Sequence, residues 1–589
     1  MKTSIKSVPQ LYRNLRRWTE IASVLSKYGL ADWLSRFHFD FLTDLLKSSE
    51  GIAQSQLTQN QRIRLALTEL GPTFIKFGQL LSTRPDLVGP ELANELSKLQ
   101  ADLPPVPIEK IRETIEKEQG GVKLEELYTE FDPQPLATAS IGQVHRAVLK
   151  DTQTLQESQN IDGGKSEHPG QSSAASRLVV VKVRRPGIER VIETDLDILA
   201  GLASLAERLE DFQNYQPVAT VREITRTMRH ELDFRREQSN LSQFRTLFTD
   251  DPDIEIPLPI LGLCTSRMLT MKFIDGTSLR NIDLQEMPTE QRQQLAKRGA
   301  ELYLKMIFVH GFYHADPHPG NIVITRQNRL GLIDFGMVGR ISERLREDIE
   351  AMLVAIARQD VPMLTILIKR VGRCPPTLNE SLLAVEVADF VGQYSTQVLS
   401  HLDVGNALID FIHLIRKHQI VLPSEVSVLI KVLVSLEGTG KLLNPEFSLM
   451  EVMKPFQRNL ILRRLSPAHQ LRKMRRFYME VEQLADVLPQ RITSILDQIQ
   501  SGRFDVHLDH RRLGATANRL VMGLMTSALF LGSSLMLSYQ VKPLIFPNQG
   551  PLGFQDVSAI GLAGVVTSLL MGLRLTLAIR RSGNLDEAD

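Results

Sequence analysis

Three polar residues near the middle of the chain have the types and the spacing needed to act on a metal-bound phosphate. Asp316 and Asn321 lie in a polar loop, and Asp334 follows an apolar strand pattern that ends at Ile333. Mg²⁺ prefers hard oxygen ligands, which Asn321 and Asp334 can supply from two adjacent strand ends. Asp316 can accept a proton from an attacking hydroxyl group or water. The three residues therefore predict a magnesium site for phosphoryl transfer or hydrolysis.

A lysine upstream is placed to pair with the phosphates. Lys182 is the single charged residue in the apolar strand pattern of residues 178–183. A helical segment over residues 218–248 carries Asp233 and Glu237 four residues apart, hence on one face, and either could pair with Lys182. Backbone amides of a tight turn can approach phosphate groups. Such a turn of mostly small residues precedes the lysine and comprises Ala137, Thr138, Ala139, Ser140, Ile141, Gly142 and Gln143.

The order of these features matches the catalytic apparatus of a kinase. Asp316 and Asn321 have the spacing of a kinase catalytic loop, and Asp334 opens an Asp-Phe-Gly sequence. We therefore predict that Lys182 and Asp316 are catalytic and that Asn321 and Asp334 hold the metal. The predicted cofactors are ATP or ADP, together with Mg²⁺.

The surrounding pattern indicates strands that precede a largely helical half. Residues 61–104 have helical periodicity, residues 131–183 have the pattern of strands and turns, and residues 188–248 are helical again. Residues 151–177 are rich in Gln, Ser, Gly and Asp and nearly lack large apolar side chains, so burial cannot offset the entropy of ordering them. We expect a disordered insertion there, between two strands.

The overall composition is that of an ordinary globular protein. The 589 residues are enough for several domains, and a formal net charge of +1 gives no general attraction to nucleic acid, so no nucleic-acid partner is expected. Two cysteines, Cys264 and Cys374, lie far apart. They form neither a metal-binding pair nor a disulfide framework, which favours a reducing compartment.

The C-terminal part has the composition of a membrane anchor. Residues 520–539 contain no charged residue and are about long enough to span a bilayer. A second run, residues 557–573, can extend to residue 579 if Arg574 reaches the interface. The connector carries only Lys542 as a base, whereas the outer ends carry Arg511, Arg512, Arg519, Arg574, Arg580 and Arg581. The positive-inside rule then predicts a two-helix hairpin whose ends, with the kinase-like domain, face the cytoplasm and contact membrane lipid.

The N-terminal segment is basic and amphipathic over residues 11–47. A helix packed on its own protein is favoured over a helix on a membrane surface, because the apolar stripe suits either one and packing is the commoner use. No uninterrupted apolar run with a cleavage site follows the first basic residues, so a cleaved secretory signal is not expected.

A motif ahead of the strands resembles the signature of a known family. Lys76, Gly78 and Gln79 form the Lys-x-Gly-Gln motif of the UbiB-like atypical kinases, also called AarF-domain kinases, and the resemblance covers about residues 60–450. The turn through Val144 is similar to the alanine-rich nucleotide loop of that family. The resemblance thus implies that every residue from Ala137 to Val144 belongs to a nucleotide-binding loop.

Glu231 and Asp233 resemble the Glu-x-Asp motif of the same family, which would make Glu237 the lysine-pairing glutamate. The resemblance implies that Lys76 and its helices fold over the active site, touch Glu231 and occlude the place of a protein substrate. Lys76, Gly78, Gln79, Glu231 and Asp233 would then be regulatory residues. It also implies a role in the synthesis of ubiquinone or a related isoprenoid quinone, with quinone precursors and quinone-synthesis enzymes as partners.

The expected architecture is an α+β, bilobal, protein-kinase-like fold with an N-terminal helical extension and a C-terminal transmembrane hairpin. The predicted divisions are a basic N-terminal segment (residues 1–60), the extension (61–130), the N-lobe (131–275), the C-lobe (276–450), a helical connector (451–514) and the hairpin (515–581).

Three functions fit these features. An ATPase or small-molecule kinase acting beside quinone precursors is favoured. A small-molecule phosphotransferase of the aminoglycoside type has the same catalytic-loop pattern, but the Lys-x-Gly-Gln motif, the alanine-rich turn and the hairpin argue against it. A nucleotide-binding pseudokinase scaffold is the third. A protein kinase is disfavoured, because helical periodicity resumes at about Ser342 and leaves little room for an activation loop, and because Ala315 replaces the usual arginine.

Overall fold

The computed structural model describes residues 8–30, 57–99, 104–150, 177–209, 214–395, 403–454, 513–545 and 556–581, with scattered residues between these ranges. The chain divides into two compact units, Met1–Ser466 and Pro467–Asp589. Residues 151–176 of the expected insertion and most of the expected connector, residues 451–514, lie outside the described residues.

The first unit combines helices with small sheets. Its helices are α1 (Val8–Lys27), α2 (Gln59–Leu70), α3 (Pro72–Leu81), α4 (Pro85–Val88), α5 (Pro90–Ser97), α6 (Ile108–Glu118), α7 (Leu124–Leu127), α8 (Ile188–Ala206), α9 (Pro217–Glu231), α10 (Phe234–Leu247), α11 (Thr289–Leu304), α12 (Glu343–Ala357), α13 (Val361–Val371), α14 (Glu380–Ser395), α15 (Val404–Lys417) and α16 (Ser424–Leu443). Its strands are β1 (Tyr128–Phe131), β2 (Ala137–Thr138), β3 (Gly142–Leu149), β4 (Leu178–Arg184), β5 (Ile254–Glu255), β6 (Met268–Lys272), β7 (Gly276–Ser278), β8 (Phe312–His314), β9 (Ile322–Thr325), β10 (Leu330–Leu332) and β11 (Val338–Arg340).

The strand that carries Lys182 lies inside the N-lobe sheet, whose order is β1-β3-β4-β6 with β2 beside β3 and all neighbours antiparallel. Three valines of β4 are fully buried in the cluster that also contains α6: Val179, Val181 and Val183. Side chains alternate along a strand, so Lys182 turns to the opposite face. Val180, which shares that face, packs into the cluster that contains Phe335 of the Asp-Phe-Gly sequence.

The helical carboxylates lie on two helices. The sequence predicts one helical segment over residues 218–248, and this prediction is wrong at its centre, where α9 ends at Glu231 and α10 follows after a break. Asp233 is the N-cap of α10, because its carboxylate accepts a hydrogen bond from the amide of Arg235 at 3.1 Å. Asp233 therefore does not share a helix face with Glu237.

Short antiparallel strands bring the two polar loops of the C-lobe together. The loop with Asp316 lies between β8 and β9, and the Asp-Phe-Gly loop lies between β10 and β11. β8 pairs with β11, so the start of the Asp316 loop lies beside the end of the Asp-Phe-Gly loop. β9 pairs with β10, so the end of the Asp316 loop lies beside the start of the Asp-Phe-Gly loop. The amide of Ile333 also donates to the carbonyl of Asn321 at 3.2 Å. The backbone alone thus places Asn321 next to Asp334.

Packed aromatic residues support these loops from below. The largest fully buried side chains of the cluster are Tyr303, Phe308, Tyr313, Phe244 and Phe335. After the Asp-Phe-Gly loop, α12 begins at Glu343, with Ser342 as its N-cap through the amide of Leu345 at 3.2 Å. The predicted early return to helix is confirmed, and β11 fills the short interval after Gly336.

The extension is a compact group of helices, α2–α5. Gly78 lets α3 pack closely, because a Cβ atom there would overlap side chains of Leu99 and Leu67. α1 packs on the extension and α8 through Ile21 and Val24, which are buried. Arg17 fixes this position by an ion pair with the buried Asp195 at 2.8 Å. The described part of the N-terminal segment is therefore a packed helix.

A buried network joins the extension to the C-lobe helix α16. Arg84 and Asp86 form an ion pair at 2.9 Å, and Asp86 is fully buried. Asp86 also accepts hydrogen bonds from the hydroxyl of Ser427 at 2.9 Å and from the amide of Leu422 at 3.3 Å. Arg84 donates to the carbonyl of Leu422 at 3.2 Å. Both members of the ion pair are thus satisfied by the C-lobe.

The second unit contains two long apolar helices, α17 (Leu513–Ser538) and α18 (Ala559–Arg581), with a short pairing of β12 (Leu544–Ile545) and β13 (Val557–Ser558) between them. Both helices are long and apolar enough to cross a membrane, over Asn518–Ser538 and Ala559–Thr576. Large apolar side chains cover their outer surfaces. Small residues line the contact, since a Cβ atom on Gly561 would lie 3.0 Å from the carbonyl of Ser533.

Candidate functional site

Lys182 forms the centre of the site. Its Nζ lies 2.8 Å from both carboxylate oxygens of Glu237 and 3.6 Å from Oδ1 of Asp334. Lys182 and Glu237 are largely buried, with 15% and 7% of their side chains exposed, whereas Asp334 is half exposed. The strand, helix α10 and the Asp-Phe-Gly loop each supply one member of this group. Of the two carboxylates proposed on sequence grounds, the structure places Glu237 against Lys182.

The charges of this group determine which members ionise. Burial disfavours the charged form of Lys182, but Asp334 and Glu237 outweigh it and raise the pKa of the amine. Burial raises the pKa of Glu237 to about 7, with Lys182 opposing this shift. The surroundings disfavour ionisation of Asp334, yet Lys182 and the amide of Gly336 outweigh them and lower its pKa. Asp334 is thus the anionic partner, and Glu237 is close to its titration point at neutral pH.

Hydrogen bonds hold the catalytic loop beside this group. Asn321 donates from Nδ2 to Oδ2 of Asp316 at 2.9 Å. His314, fully buried beneath the loop, accepts from the amide of Asp316 at 3.2 Å and contacts the carbonyl of Asp334 through Nε2. Burial lowers the pKa of His314, which favours its neutral form. His318 accepts from the amide of Gly320 at 3.0 Å. Both histidines therefore organise backbone around Asp316.

The residues present fit a magnesium ion held jointly with phosphates. Asn321 uses its amide nitrogen toward Asp316, which leaves its carbonyl oxygen as a hard ligand. Asp334 adds an ionised carboxylate that is half exposed. No cluster of three or more His, Cys, Asp or Glu side chains suited to a metal lies within the described ranges. Two protein ligands suffice for Mg²⁺, which is commonly bound by one or two side chains plus substrate phosphates.

A second lysine approaches the site from the extension. Nζ of Lys76 lies 2.6 Å from Oε2 of Glu231, and both side chains are largely buried. Burial disfavours the charge of Lys76, but Glu231, Asp334 and Asp316 outweigh it and raise its pKa. Oε1 of Glu231 is buried and has no hydrogen-bond partner among the described residues. The extension thus delivers a cation close to the predicted catalytic and metal-binding residues.

Comparison with known proteins gives consistent matches along the chain. The ABC1 atypical kinase-like domain matches residues 98–155 and 168–366, the UbiB helical domain matches residues 387–448, and the ABC1/UbiB kinase-like C-terminal domain matches residues 507–581.

Full-length relatives match as well. An uncharacterised protein of the hydrogenase 1 5′ region of Clostridium pasteurianum is 30% identical over 97% of this chain and 99% of its own. A probable protein kinase UbiB of Marinobacter nauticus is 31% identical over 83% of this chain and 86% of its own. The chain belongs to the UbiB-type family of atypical kinases. The predicted resemblance and the predicted kinase-like fold are confirmed. A solved structure of Rv3197 with erythromycin, from Mycobacterium tuberculosis, shares 22% identity and a TM-score of 0.44 over 70% of this chain and 97% of its own.

The alanine-rich turn of this UbiB-type chain is a tight hairpin between β2 and β3. The amide of Ala139 donates to the carbonyl of Gly142 at 2.8 Å, and Thr138 pairs with Gln143. Gly142 is required because a Cβ atom there would lie 2.7 Å from the carbonyl of Val183. Val144, the last predicted member, pairs with Lys182 on β4. The turn therefore lies at the same end of the sheet as Lys182.

One predicted nucleotide-binding side chain faces elsewhere. Gln143 is fully buried and exchanges hydrogen bonds with the backbone of Val106, at 2.9 Å from the amide and 3.3 Å to the carbonyl. It also contacts the ring of His145 at 2.8 Å. The structure contradicts a direct nucleotide contact by this side chain, because both of its polar atoms are engaged in the interior.

The remaining residues of the two UbiB signatures have structural contacts. Gln79 donates to the carbonyl of Leu99 at 2.9 Å, and Gly78 permits close packing against the same residue. Asp233 caps α10. The extension motif thus brings only Lys76 into the charged site, while Gly78 and Gln79 shape the helix that carries it.

Sequence reasoning missed Lys431, which lies on α16 between the apolar residues Ile430 and Val432. Its Nζ lies 3.4 Å from the hydroxyl of Ser82, the residue that follows α3 of the extension. Burial lowers the pKa of Lys431, and the charge of Asp316 partly offsets this. A single lysine in an otherwise apolar stretch of a buried helix was the available signal, because such a residue needs a polar environment.

Proposed function

We propose that this UbiB-type protein binds ATP or ADP with Mg²⁺ and acts as an ATPase or small-molecule kinase that supports the synthesis of ubiquinone or a related isoprenoid quinone at a membrane. The observation that carries the proposal is the convergence of Lys182, Glu237 and Asp334 beside the Asp316–Asn321 pair. Relatives from Marinobacter nauticus and Xylella fastidiosa, named probable protein kinases UbiB, support the same class of reaction.

In this proposal each residue has a separate role. Lys182, oriented by Glu237, pairs with the phosphates, while Asn321 and Asp334 hold the magnesium ion. When bound, that ion neutralises the charge that develops on the phosphates. Asp316 takes a proton from the acceptor hydroxyl or from water, and its hydrogen bond from Asn321 fixes its direction.

The position of the extension favours a small acceptor over a protein. Lys76 comes close enough for the charges of Asp316 and Asp334 to affect its pKa, and its pair with Glu231 is largely buried. A peptide chain would have to displace this pair and the helices that carry it. Water or a small phenolic precursor would not.

The decisive experiment is ATP hydrolysis by the full chain in liposomes, with and without phenolic mimics of quinone precursors. We expect Mg²⁺-dependent phosphate release that the mimics stimulate, and its loss in Asp316→Asn with nucleotide binding retained. Nucleotide binding without turnover in the parent would instead indicate a scaffold. Transfer of the γ-phosphate of ATP to the mimic would identify the small-molecule kinase rather than the ATPase form of the proposal. Quinone-synthesis enzymes would be tested separately as partners.

The two apolar helices support attachment to a membrane with the kinase-like unit in the cytoplasm. Basic residues lie at the outer ends of the hairpin, whereas Lys542 is the single base of the connector. Deletion of residues 515–589 should release the protein into the soluble fraction. A truncated chain that still pellets with membranes after a carbonate wash would contradict the assigned anchor.

A further inference from the structure

Arg185 follows the last residue of β4 and contacts two separate parts of the chain. Its amide donates to the carbonyl of Ile141 at 2.8 Å, and its Nε donates to the carbonyl of Ala139 at 3.1 Å. Its Nη1 donates to the carbonyl of Pro104 at 3.1 Å. One residue therefore joins the alanine-rich turn to the linker, residues 104–106, that connects the extension with the N-lobe.

Gln143 forms a second connection between the same two segments. Its side-chain oxygen and nitrogen both bond to the backbone of Val106, as described above. His145 holds the nitrogen end of this amide, and the ring itself contacts the carbonyl of Asp132 at 2.8 Å. The linker and the turn are thus fastened at two points, from the side chains of Arg185 and Gln143.

The turn also packs against an apolar cluster to which the extension contributes. Ile141 packs against the cluster that includes Phe74 and Leu70 of the extension, and Met337, which follows the Asp-Phe-Gly sequence, packs against the same cluster. A change in the position of the extension therefore reaches the turn by two routes. One is apolar packing at Ile141, and the other is the hydrogen-bonded linker.

We propose that Arg185 is a positioning residue that couples the linker to the alanine-rich turn, so that the placement of the extension sets how the turn holds nucleotide phosphates. This rests on the nucleotide site proposed above. The guanidinium group suits the role because its donors have a fixed geometry, and two of them reach the carbonyls of Ala139 and Pro104 at once. A lysine amine cannot reproduce this arrangement.

Hydrogen exchange of the full chain in lipid nanodiscs, with and without Mg·ATP, tests the coupling. In the parent, nucleotide should further protect the amide of Val106, which is the one exchangeable backbone amide of residues 104–106 because Pro104 and Pro105 have no N–H, although no group there is assigned to nucleotide. Arg185→Gln should remove most of that protection and weaken Mg·ATP affinity about three- to tenfold, the equivalent of about one hydrogen bond. Arg185→Lys should restore little of either. Arg190→Gln, the same change at an exposed arginine in the first turn of α8, should behave as the parent.

Unchanged linker protection and affinity in Arg185→Gln would overturn the proposal. If that variant does not fold, Gln143→Met provides a second test through Mg·ATP affinity, which should fall about three- to tenfold, because it removes both bonds to Val106 and leaves Arg185 intact. Exchange at Val106 is not used for this variant, since its amide loses its own acceptor. If the parent binds no nucleotide, the proposed function fails, and the coupling is decided without nucleotide. Exchange at residues 139–142 should then rise about threefold or more in Gln143→Met, as expected when a hydrogen-bonded support is lost. Unchanged exchange would refute the coupling itself.

Discussion

Two buried lysine–glutamate pairs lie on either side of one break in the helical chain. Glu231 ends α9 and meets Lys76 of the extension at 2.6 Å, while Glu237 lies in the first turn of α10 and meets Lys182 of the sheet at 2.8 Å. Lys182 has a further carboxylate, that of Asp334, at 3.6 Å. Lys76 contacts one oxygen of Glu231, and the other oxygen is buried without a partner among the described residues.

The difference shows how one local feature can serve two purposes. The break capped by Asp233 turns the chain, so that consecutive helices present their carboxylates to lysines from different parts of the fold. Both members of the Lys182–Glu237 pair belong to the N-lobe, outside the extension. The Lys76–Glu231 pair exists only while the extension is docked. The two pairs should therefore respond differently to the same substitution.

Replacing each glutamate with glutamine should separate the two pairs most clearly. Glu231→Gln leaves Lys76 largely buried without its direct carboxylate and should lower the free energy of unfolding by about 3 kcal/mol, as for other broken buried pairs. Glu237→Gln leaves Lys182 with Asp334 and should cost less stability but more nucleotide affinity. Thermal unfolding and calorimetric titration with Mg·ATP measure the two effects. Equal stability losses, or a larger affinity loss in Glu231→Gln, would contradict the distinction.

Asp334→Asn tests the carboxylate that lies in direct ion-pair contact with Lys182. The change removes a charge next to the proposed metal and should weaken Mg²⁺-dependent nucleotide binding about ten- to a hundredfold. Binding in the absence of Mg²⁺ should change much less. Asp389→Asn, the same change on the exposed surface of α14, serves as the control. Calorimetric Mg·ATP affinities that agree between Asp334→Asn and the parent would show that the metal site is misassigned.

The raised pKa of Glu237, about 7, predicts that the stability of the protein depends on pH. A carboxyl group with a raised pKa holds more protons in the folded than in the unfolded chain between its ordinary pKa of 4.5 and about 7. Its contribution to stability therefore falls as the pH rises through that window. Glu237→Gln has no such titrating group. The thermal unfolding midpoint of this variant minus that of the parent should therefore increase as the pH rises from about 5 to about 7.5.

The control for this titration is Glu109→Gln, an exposed residue of α6. The effect of Glu237→Gln on the unfolding midpoint at each pH is compared with that of this exposed replacement. A flat difference for Glu237→Gln would mean that Glu237 ionises fully well below neutral pH in the folded protein.

Ala139→Gly should have the smallest effect and should act only on the Lys182 side. Glycine reaches left-handed backbone conformations that cost alanine roughly 1 to 2 kcal/mol, so the turn can close on phosphates in further geometries. We expect the preference between ATP and ADP to change a few-fold and the protein to label itself from radiolabelled ATP, with the unfolding midpoint nearly unchanged. Thermal-shift titrations and transfer of radiolabel measure this. Identical nucleotide binding and no labelling in either protein would make the turn a structural hairpin.

Residue spacing was sufficient to predict which polar side chains of the C-lobe lie close together, while their catalytic and metal-binding roles stay predictions. Asp316, Asn321 and Asp334 lie on short loops between antiparallel strands, and strand pairing fixes such loops next to each other. The strand that carries Lys182 was also predicted from the sequence. Side chains alternate along a strand, so its buried valines at 179, 181 and 183 lie on the opposite face from Lys182. Spacing alone could not decide which of Asp233 and Glu237 pairs with Lys182. Residues four apart share a face only in an unbroken helix, and the chain breaks at Asp233, which caps α10.

Long-range contacts account for the other differences. Gln143 stands in the alanine-rich turn, but strand alternation buries its side chain against Val106, which is distant in sequence. Lys431 on α16 is close enough for the charge of Asp316 to affect its pKa. Neither the spacing of Lys431 nor the residues next to it in the sequence predict that Asp316 lies nearby. Such contacts depend on how whole segments pack, so a local pattern cannot specify them.

The network of Arg84 and Asp86 bears on how fast the proposed nucleotide would leave its site. The extension is bonded to α9 through Lys76 and to the C-lobe through Arg84 and Asp86. Ser427 and the amide of Leu422 donate to Asp86, and the carbonyl of Leu422 accepts from Arg84. Rotating one lobe away from the other would break buried hydrogen bonds at one of these ends. Undocking of the extension should therefore limit how fast a bound nucleotide leaves, and the residence time should shorten whenever the Arg84–Asp86 contact with the C-lobe is weakened.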